Sequence, residues 1–307
     1  MDNSSTREAL LSRYAELRPA QMQIAFALRQ NNDWRWSGMY DCGRELSVAW
    51  CSSCGAAHVR PARTCKHRLC PLCQLRRARR LGAQASAAFA AAGPRLDGVA
   101  MALVTLTQRN VSADRLRDEV GSLLAACSRL RLVRAVRRDV IGSARNVEIT
   151  YNRATKTYHP HVHLIIWLRP GADWHLLGCA WWREHWRALM GLDYDPVVDV
   201  SPISDVEGSI AEVSKYCAKT AKLSSLPLPE LARVVDALDF ALAGRRLIAY
   251  SGLWAALRRE LAQPDPDAED DHDDLPERCA CGAALVDAVF RWSGCEYVLR
   301  PDTQQAR

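Results

Sequence analysis

The chain has 307 residues, 49% of them hydrophobic and 25% charged, with a net charge of +6. That composition is ordinary for a folded globular chain and excludes a disordered or low-complexity one. No apolar run approaches the ~20 residues that a membrane span needs, so no spanning segment and no membrane partner are expected. Twelve cysteines follow a leader (MDNSSTREALLSRYAEL) that lacks the apolar core of a secretion signal. The expected location is therefore the cytoplasm, where paired cysteines hold metal more often than they form disulfides.

Residues 1–41 read as a helical lead-in whose end carries Trp34 and Trp36. Residues 42–93 read as a metal-stapled, basic module. Its Cys51-x-x-Cys54 pair, fifteen intervening residues and Cys70-x-x-Cys73 pair have zinc-ribbon spacing, because each pair can turn two thiolates onto one structural zinc. Cys42 and Cys65 are left over, so the ligand set stays open. Basic residues crowd positions 60–80, and Arg68, Arg76, Arg77 and Arg80 are the candidates for phosphate contacts to duplex DNA. A helix is expected over residues 72–92, closed by Gly93-Pro94.

Residues 94–223 carry the clearest periodicity. Val99–Thr107 suits a buried strand. Ser112 can cap a helix whose apolar positions Leu116, Val120, Leu123, Cys127, Leu130 and Val133 share one face. Residues 146–151 and 161–168 read as strands, 174–190 as a helix, 197–200 as a short strand and 206–222 as a helix. Trp181, Trp182 and Trp186 read as packing residues. Strands interleaved with helices, two of them in a hairpin, predict an α+β domain on an antiparallel sheet. A helical extension over 224–262, interrupted at Gly244–Gly252, and an acidic linker and tail over 263–307 complete the chain. The tail's Cys279, Cys281 and Cys295 lack a clear fourth partner, with His272 the only candidate nearby.

The sharpest signal is Tyr158-His-Pro-His-Val-His-Leu164. Side chains alternate along a strand, so His161 and His163 share a face and can share one divalent cation. His159 lies on that face as well, although Pro160 can re-aim it. A metal that handles phosphate oxygens, Mg²⁺ or Mn²⁺, calls for a carboxylate as third ligand. If the hairpin turns at Ala154-Thr155, Glu148 stands opposite His161 on the same face. Glu148 and His159 are thus the alternatives. The second signal lies on the helix over 206–222, where Glu212 and Tyr216 are four residues apart and Lys219 follows three later. A phenol of pKa about 10 needs a neighbouring cation or metal to attack at neutral pH.

These two motifs, in this order, resemble the HUH endonuclease superfamily. They are most similar to rolling-circle plasmid replication initiators with one tyrosine and one glutamate. Val104-Thr-Leu-Thr-Gln-Arg-Asn110 resembles that family's first motif, and Asp41-Cys-Gly43 with Cys65-Lys-His-Arg-Leu-Cys-Pro-Leu-Cys73 resembles its upstream cysteine segment. Gly244-Arg-Arg-Leu-Ile-Ala-Tyr-Ser-Gly252 resembles its closing motif. The resemblance covers roughly residues 40–260 and reaches no counterpart of the tail. It implies a nuclease sheet carrying His161 and His163 as metal ligands, Tyr216 as nucleophile and Glu212 as the hydrolytic residue. It also implies origin DNA exposed as a single strand or hairpin, with host helicase and replication machinery as partners. A relaxase or transposase using the same metal and tyrosine is one alternative. A zinc-dependent DNA-binding regulator without catalysis is another.

Overall fold

The structure is a computed structural model that describes residues 6–61, 63–172, 174–203, 220–265, 278–303 and 305–306. It divides into two units, one drawn from residues 1–75, 220–236 and 269–307 and the other from residues 76–219 and 237–268.

The first unit opens with α1 (Arg7–Gln30), where the Thr6 hydroxyl accepts a hydrogen bond from the Ala9 N–H at 3.3 Å. This cap satisfies one of the N–H groups that a helix start leaves unpaired. Leu10, Tyr14, Ile24 and Leu28 form its buried stripe. After α2 (Trp36–Asp41), Cys42 and Gly43 turn the chain into β1 (Glu45–Cys51), which pairs antiparallel with β2 (Ala57–Pro61). Gly43 has φ +66°, and an added Cβ would sit 2.6 Å from Leu72 Cδ1, so this turn needs glycine. Helix α3 (Pro71–Ala92) follows, with proline at its first position, where no N–H is needed.

The second unit is built on an antiparallel sheet of order β6-β3-β5-β4-β7. Its elements are β3 (Ala100–Thr107), α4 (Ala113–Leu130), α5 (Arg134–Asp139), β4 (Val140–Asn152), β5 (Thr157–Leu168), α6 (Cys179–Met190) and β6 (Val198–Pro202). The chain then passes through α7 (Thr220–Leu223) and the start of α8 (Leu228–Leu242), which belong to the first unit, before β7 (Ala249–Ser251) and α9 (Gly252–Glu260) complete the second. Strand alternation gives the sheet two unlike faces. On one, Ala102, Val104, Leu106, Val162 and Ile166 are buried, and α4 and α6 pack against the sheet. On the other, Ala85, Phe89 and Ala92 of α3 and Trp254 and Leu257 of α9 cover Ala144, Ile165 and Trp167. Trp167 stacks on Trp254 at 4.5 Å, and Phe89 meets both edge-on at 5.0 and 5.2 Å.

The expected α+β class and antiparallel sheet are present, with four local differences. The helix after Ser112 ends at Leu130, and Val133 instead precedes α5, because a turn closes on Arg129 and Leu130. The stretch 174–190 is a 3-10 turn (Trp174–Leu177) and then α6, separated at the extended Gly178. The interruption at Gly244–Gly252 contains edge strand β7. Gly252 has φ +57°, and an added Cβ would lie 2.1 Å from the Ile141 carbonyl oxygen, so the chain passes too close there for a side chain. Finally, the tail returns as β8 (Leu285–Trp292), which pairs along the whole of β1 and carries β9 (Tyr297–Leu299) and β10 (Gln305–Ala306). The first unit's sheet thus has the order β10-β8-β1-β2. Among the described residues no helix is long and apolar enough to cross a membrane.

Candidate metal centres

The face of β5 that is apolar at Ile165 and Trp167 becomes polar two residues earlier. There His163 and His161 replace the hydrophobic side chains, and the facing residues change with them. The hairpin between β4 and β5 turns through residues 153–156, with Asn152 paired to Thr157. Asn152 Oδ1 accepts from the N–H groups of Ala154 and Thr155 at 3.0 and 3.2 Å, an Asx turn that sets the loop length. That register puts Glu148 opposite His161 and Asn146 opposite His163. On the other side, β3 sets Thr107 opposite His161 and Thr105 opposite His163.

Glu148 Oε2 lies 3.5 Å from His161 Nε2 and 3.5 Å from His163 Nε2. The carboxylate is 1% exposed and the imidazoles 12% and 13%, so three ligand-type atoms converge where little solvent reaches. All lie within 4.8 Å of one another. The rings are held from behind. His161 Nδ1 is 3.2 Å from the His159 carbonyl and donates to it, which leaves Nε2 as the acceptor lone pair facing Glu148. His163 Nδ1 is 3.3 Å from Thr105 Oγ1. Such outer partners orient the imidazoles that hold metals. Two nitrogens and one carboxylate oxygen fit a divalent cation that keeps open positions for phosphate oxygens.

His159 stands apart from this cluster. Its Nδ1 meets Asn110 Oδ1 at 2.9 Å, and burial, followed by the neighbouring His161, lowers its pKa. The supporting Thr105 and Asn110 belong to the Thr-x-Thr-x-x-Asn segment. Sequence reasoning recognised that segment but gave these two no role, and their spacing from the histidines is set only by the β3–β5 register. Glu212, Tyr216 and Lys219 lie outside the described residues.

The cysteines form two groups of four. Cys42, Cys65, Cys70 and Cys73 converge, with Sγ separations of 3.5 Å (Cys42–Cys73) and 3.7 Å (Cys65–Cys73 and Cys42–Cys70). Thiolates about 2.3 Å from a tetrahedral zinc would stand about 3.8 Å apart, whereas a disulfide needs about 2.05 Å. The group therefore has the shape of a zinc site. Hydrogen bonds from the Cys42, Cys65 and Cys70 thiols hold the Cys73 thiol well below the ordinary thiol range. Burial, first, and the neighbouring thiols push Cys70 up.

Cys51 and Cys54 meet Cys281 and Cys279 instead, at 3.6 and 3.4 Å. The ribbon expected from Cys51, Cys54, Cys70 and Cys73 is therefore not assembled. β1 lies between the two groups and spans about 20 Å at roughly 3.3 Å per residue, so Cys51 is carried away from the neighbourhood of Cys42. The sequence carries only a weak signal of this pairing: Cys51–Cys54 and Cys279–Cys281 are each followed directly by glycine, but so is Cys42 of the other group. Cys295 joins neither group and lies 3.6 Å from Ser293 Oγ. His272 is outside the described residues.

Of the basic candidates, Arg68 lies just before α3, while Arg76, Arg77 and Arg80 lie on it. All four are half-buried, and Arg79 beside them is exposed.

Comparison with known proteins finds replication proteins. The profile of the Rep_1 family, described as "Replication protein", matches residues 56–297. That reach extends past residue 260 into the tail, which the motifs alone had left without a counterpart. A "Protein rep" of Bacillus amyloliquefaciens is 30% identical over 283 residues, 85% of this chain and 83% of its own. A "Protein rep" of Lentilactobacillus hilgardii is 29% identical over 266 residues, 83% and 84% of the two chains. A "Replication protein" of Staphylococcus aureus is 26% identical over 210 residues, 64% of this chain and 89% of its own. No solved structure matches. The chain belongs to the Rep_1 family of replication proteins, in keeping with the resemblance of its ordered motifs to rolling-circle replication initiators.

Proposed function

We propose that this replication protein starts rolling-circle replication of a plasmid by nicking one strand at the origin and remaining attached to the 5′ end through Tyr216. The observation that carries the reading is the convergence of Glu148, His161 and His163 on the central sheet of a chain from this family. A Mg²⁺ or Mn²⁺ ion held by these three would draw charge from the scissile phosphate. Glu148 would supply the anionic ligand, and Thr105 and the His159 carbonyl would keep the two imidazoles aimed.

In the nicking step the Tyr216 oxygen bonds to phosphorus, and the bond from phosphorus to the 3′ oxygen breaks. The phenol proton is lost as the leaving oxygen gains one. One phosphodiester is exchanged for another, so no nucleotide cofactor is consumed, and the free 3′-OH primes synthesis. Lys219 would favour the phenolate or grip the phosphate, and Glu212 would activate water for the hydrolysis that ends a round. A zinc held by Cys42, Cys65, Cys70 and Cys73 would staple the module whose arginines, Arg68, Arg76, Arg77 and Arg80, bind origin phosphates. The strand must be presented single or as an extruded hairpin. Host helicase and polymerase would take over the opened fork in the cytoplasm.

The test uses labelled single-stranded oligonucleotides tiling the noncoding DNA beside the protein's own gene, incubated with the protein and Mn²⁺. An SDS-resistant adduct that ends in a 5′-phosphotyrosine at residue 216 is the expected result. Specific binding of that DNA with no adduct under any divalent metal would favour a regulator and overturn the nicking reading.

A further inference from the structure

Beyond the nicking centre, two short turns in the first unit are built alike although 225 residues separate Cys54 from Cys279. In one, Cys51-Ser-Ser-Cys54-Gly55, the Cys51 N–H donates to the Ala56 carbonyl at 2.8 Å and the Gly55 N–H to the Cys51 carbonyl at 3.0 Å. In the other, Cys279-Ala-Cys281-Gly282, the Cys279 N–H donates to the Ala283 carbonyl at 3.1 Å and the Gly282 N–H to the Cys279 carbonyl at 2.8 Å. Both glycines are left-handed, with φ +76° and +85°, the conformation that lets a chain fold back over its own thiolates.

The four Sγ atoms face one another. Cys51 lies 3.6 Å from Cys281 and Cys54 3.4 Å from Cys279, and all four are within 4.8 Å. These separations are far beyond a disulfide bond and near the spacing of thiolates around a tetrahedral zinc. Cys51 and Cys279 are buried at 1% and 5% exposure in a small apolar cluster with Ala49 and Leu285, while Cys54 and Cys281 lie at the surface. The strands behind the turns are joined as well, since Cys51 pairs with Leu285 at the end of the β1–β8 ladder.

We infer that Cys51, Cys54, Cys279 and Cys281 form a second structural zinc site, made of two like knuckles, that fastens the C-terminal tail to the end of β1. Four thiolates close the coordination shell, so the ion has no position for water or substrate and acts as a clasp. The reading does not depend on nicking or on Tyr216.

Zinc content of the full chain, purified without chelator, is measured by elemental analysis. Two zinc ions per chain are expected in the wild type, and one each in C279S/C281S and in C42S/C65S. In C279S/C281S, limited proteolysis should cut before β8 at least about tenfold faster. Replacing zinc by Co²⁺ adds a spectroscopic readout. C281H keeps a ligand at the site, so it should hold two metal ions while one sulfur-to-cobalt charge-transfer contribution weakens. That variant decides the matter even if C279S/C281S misfolds and loses both ions. Wild-type zinc content in C279S/C281S, an unaltered cobalt spectrum in C281H, or a disulfide among these four cysteines in freshly purified protein would each overturn the site. Loss of nicking with two zinc ions retained would count against the proposed function alone.

Discussion

At the residue scale, Glu148 and His159 compete for the third position beside His161 and His163, and their surroundings separate them. The Glu148 carboxylate faces both imidazoles at 3.5 Å, whereas His159 is turned to Asn110. Glu148→Ala is therefore expected to weaken Mn²⁺ binding by about tenfold or more, and His159→Ala by much less, in a calorimetric titration. Thr105→Val removes a partner of His163 without touching the ligand atoms. Its affinity loss should also be ~10-fold, with the histidines intact. Equal titrations for wild type and Glu148→Ala would remove Glu148 from the site. The roles proposed for Glu212 and Tyr216 separate in time. Glu212→Ala should form the first adduct at a near-normal rate but release it ~100-fold more slowly, the usual scale for losing a general base. Single-turnover gels that follow adduct formation and decay report both steps, and normal decay would dismiss Glu212 as the base.

At the scale of elements, the site depends on the register of three strands, and one glycine contact holds the edge of that sheet. Gly252 joins β7 to α9 at φ +57°, with the Ile141 carbonyl where a Cβ would go, and the Ser251 and Ser143 hydroxyls meet at 2.6 Å alongside. Gly252→Ala should cost about 2–4 kcal/mol, from the left-handed backbone and the forced retreat of β4. Phe89→Ala would open a cavity beside Trp167 and Trp254 and should cost about 3–5 kcal/mol. Denaturant melts of the two variants measure both. A Gly252→Ala protein as stable as wild type would mean that the β4–α9 approach is looser than described.

At the scale of the molecule, the modest net charge of +6 understates a local feature, the basic run around the start of α3. If Arg76 and Arg77 contact phosphates, each replacement by alanine should weaken duplex binding about equally across sequences. Each should also reduce the slope of log K against log salt by about 1. Fluorescence anisotropy from 50 to 300 mM salt is the measurement, and an unchanged slope would place these arginines away from DNA. Their half-burial makes the test a sharp one, because an arginine engaged in packing would change stability instead.

The sequence by itself determined what depends on short range. Alternation along β5 put His161 and His163 on one face, and it offered Glu148 opposite His161 only if the hairpin turned at Ala154-Thr155, a condition that the β4–β5 register meets. Composition marked the cysteine module, and the ordered motifs identified the family. Long-range pairing was decided only by the tertiary structure. A strand's two neighbours are not written in its own periodicity, so the support that Thr105 gives His163 was invisible until β3 and β5 were in register. The cysteine pairs were mismatched for the same reason. Spacing along the chain favours the near partner, Cys70–Cys73, but β1 is stiff and extended and carries Cys51 away from Cys42. A tail from the far end of the chain, fixed by the ladder of β8 on β1, supplies Cys279 and Cys281 in its place.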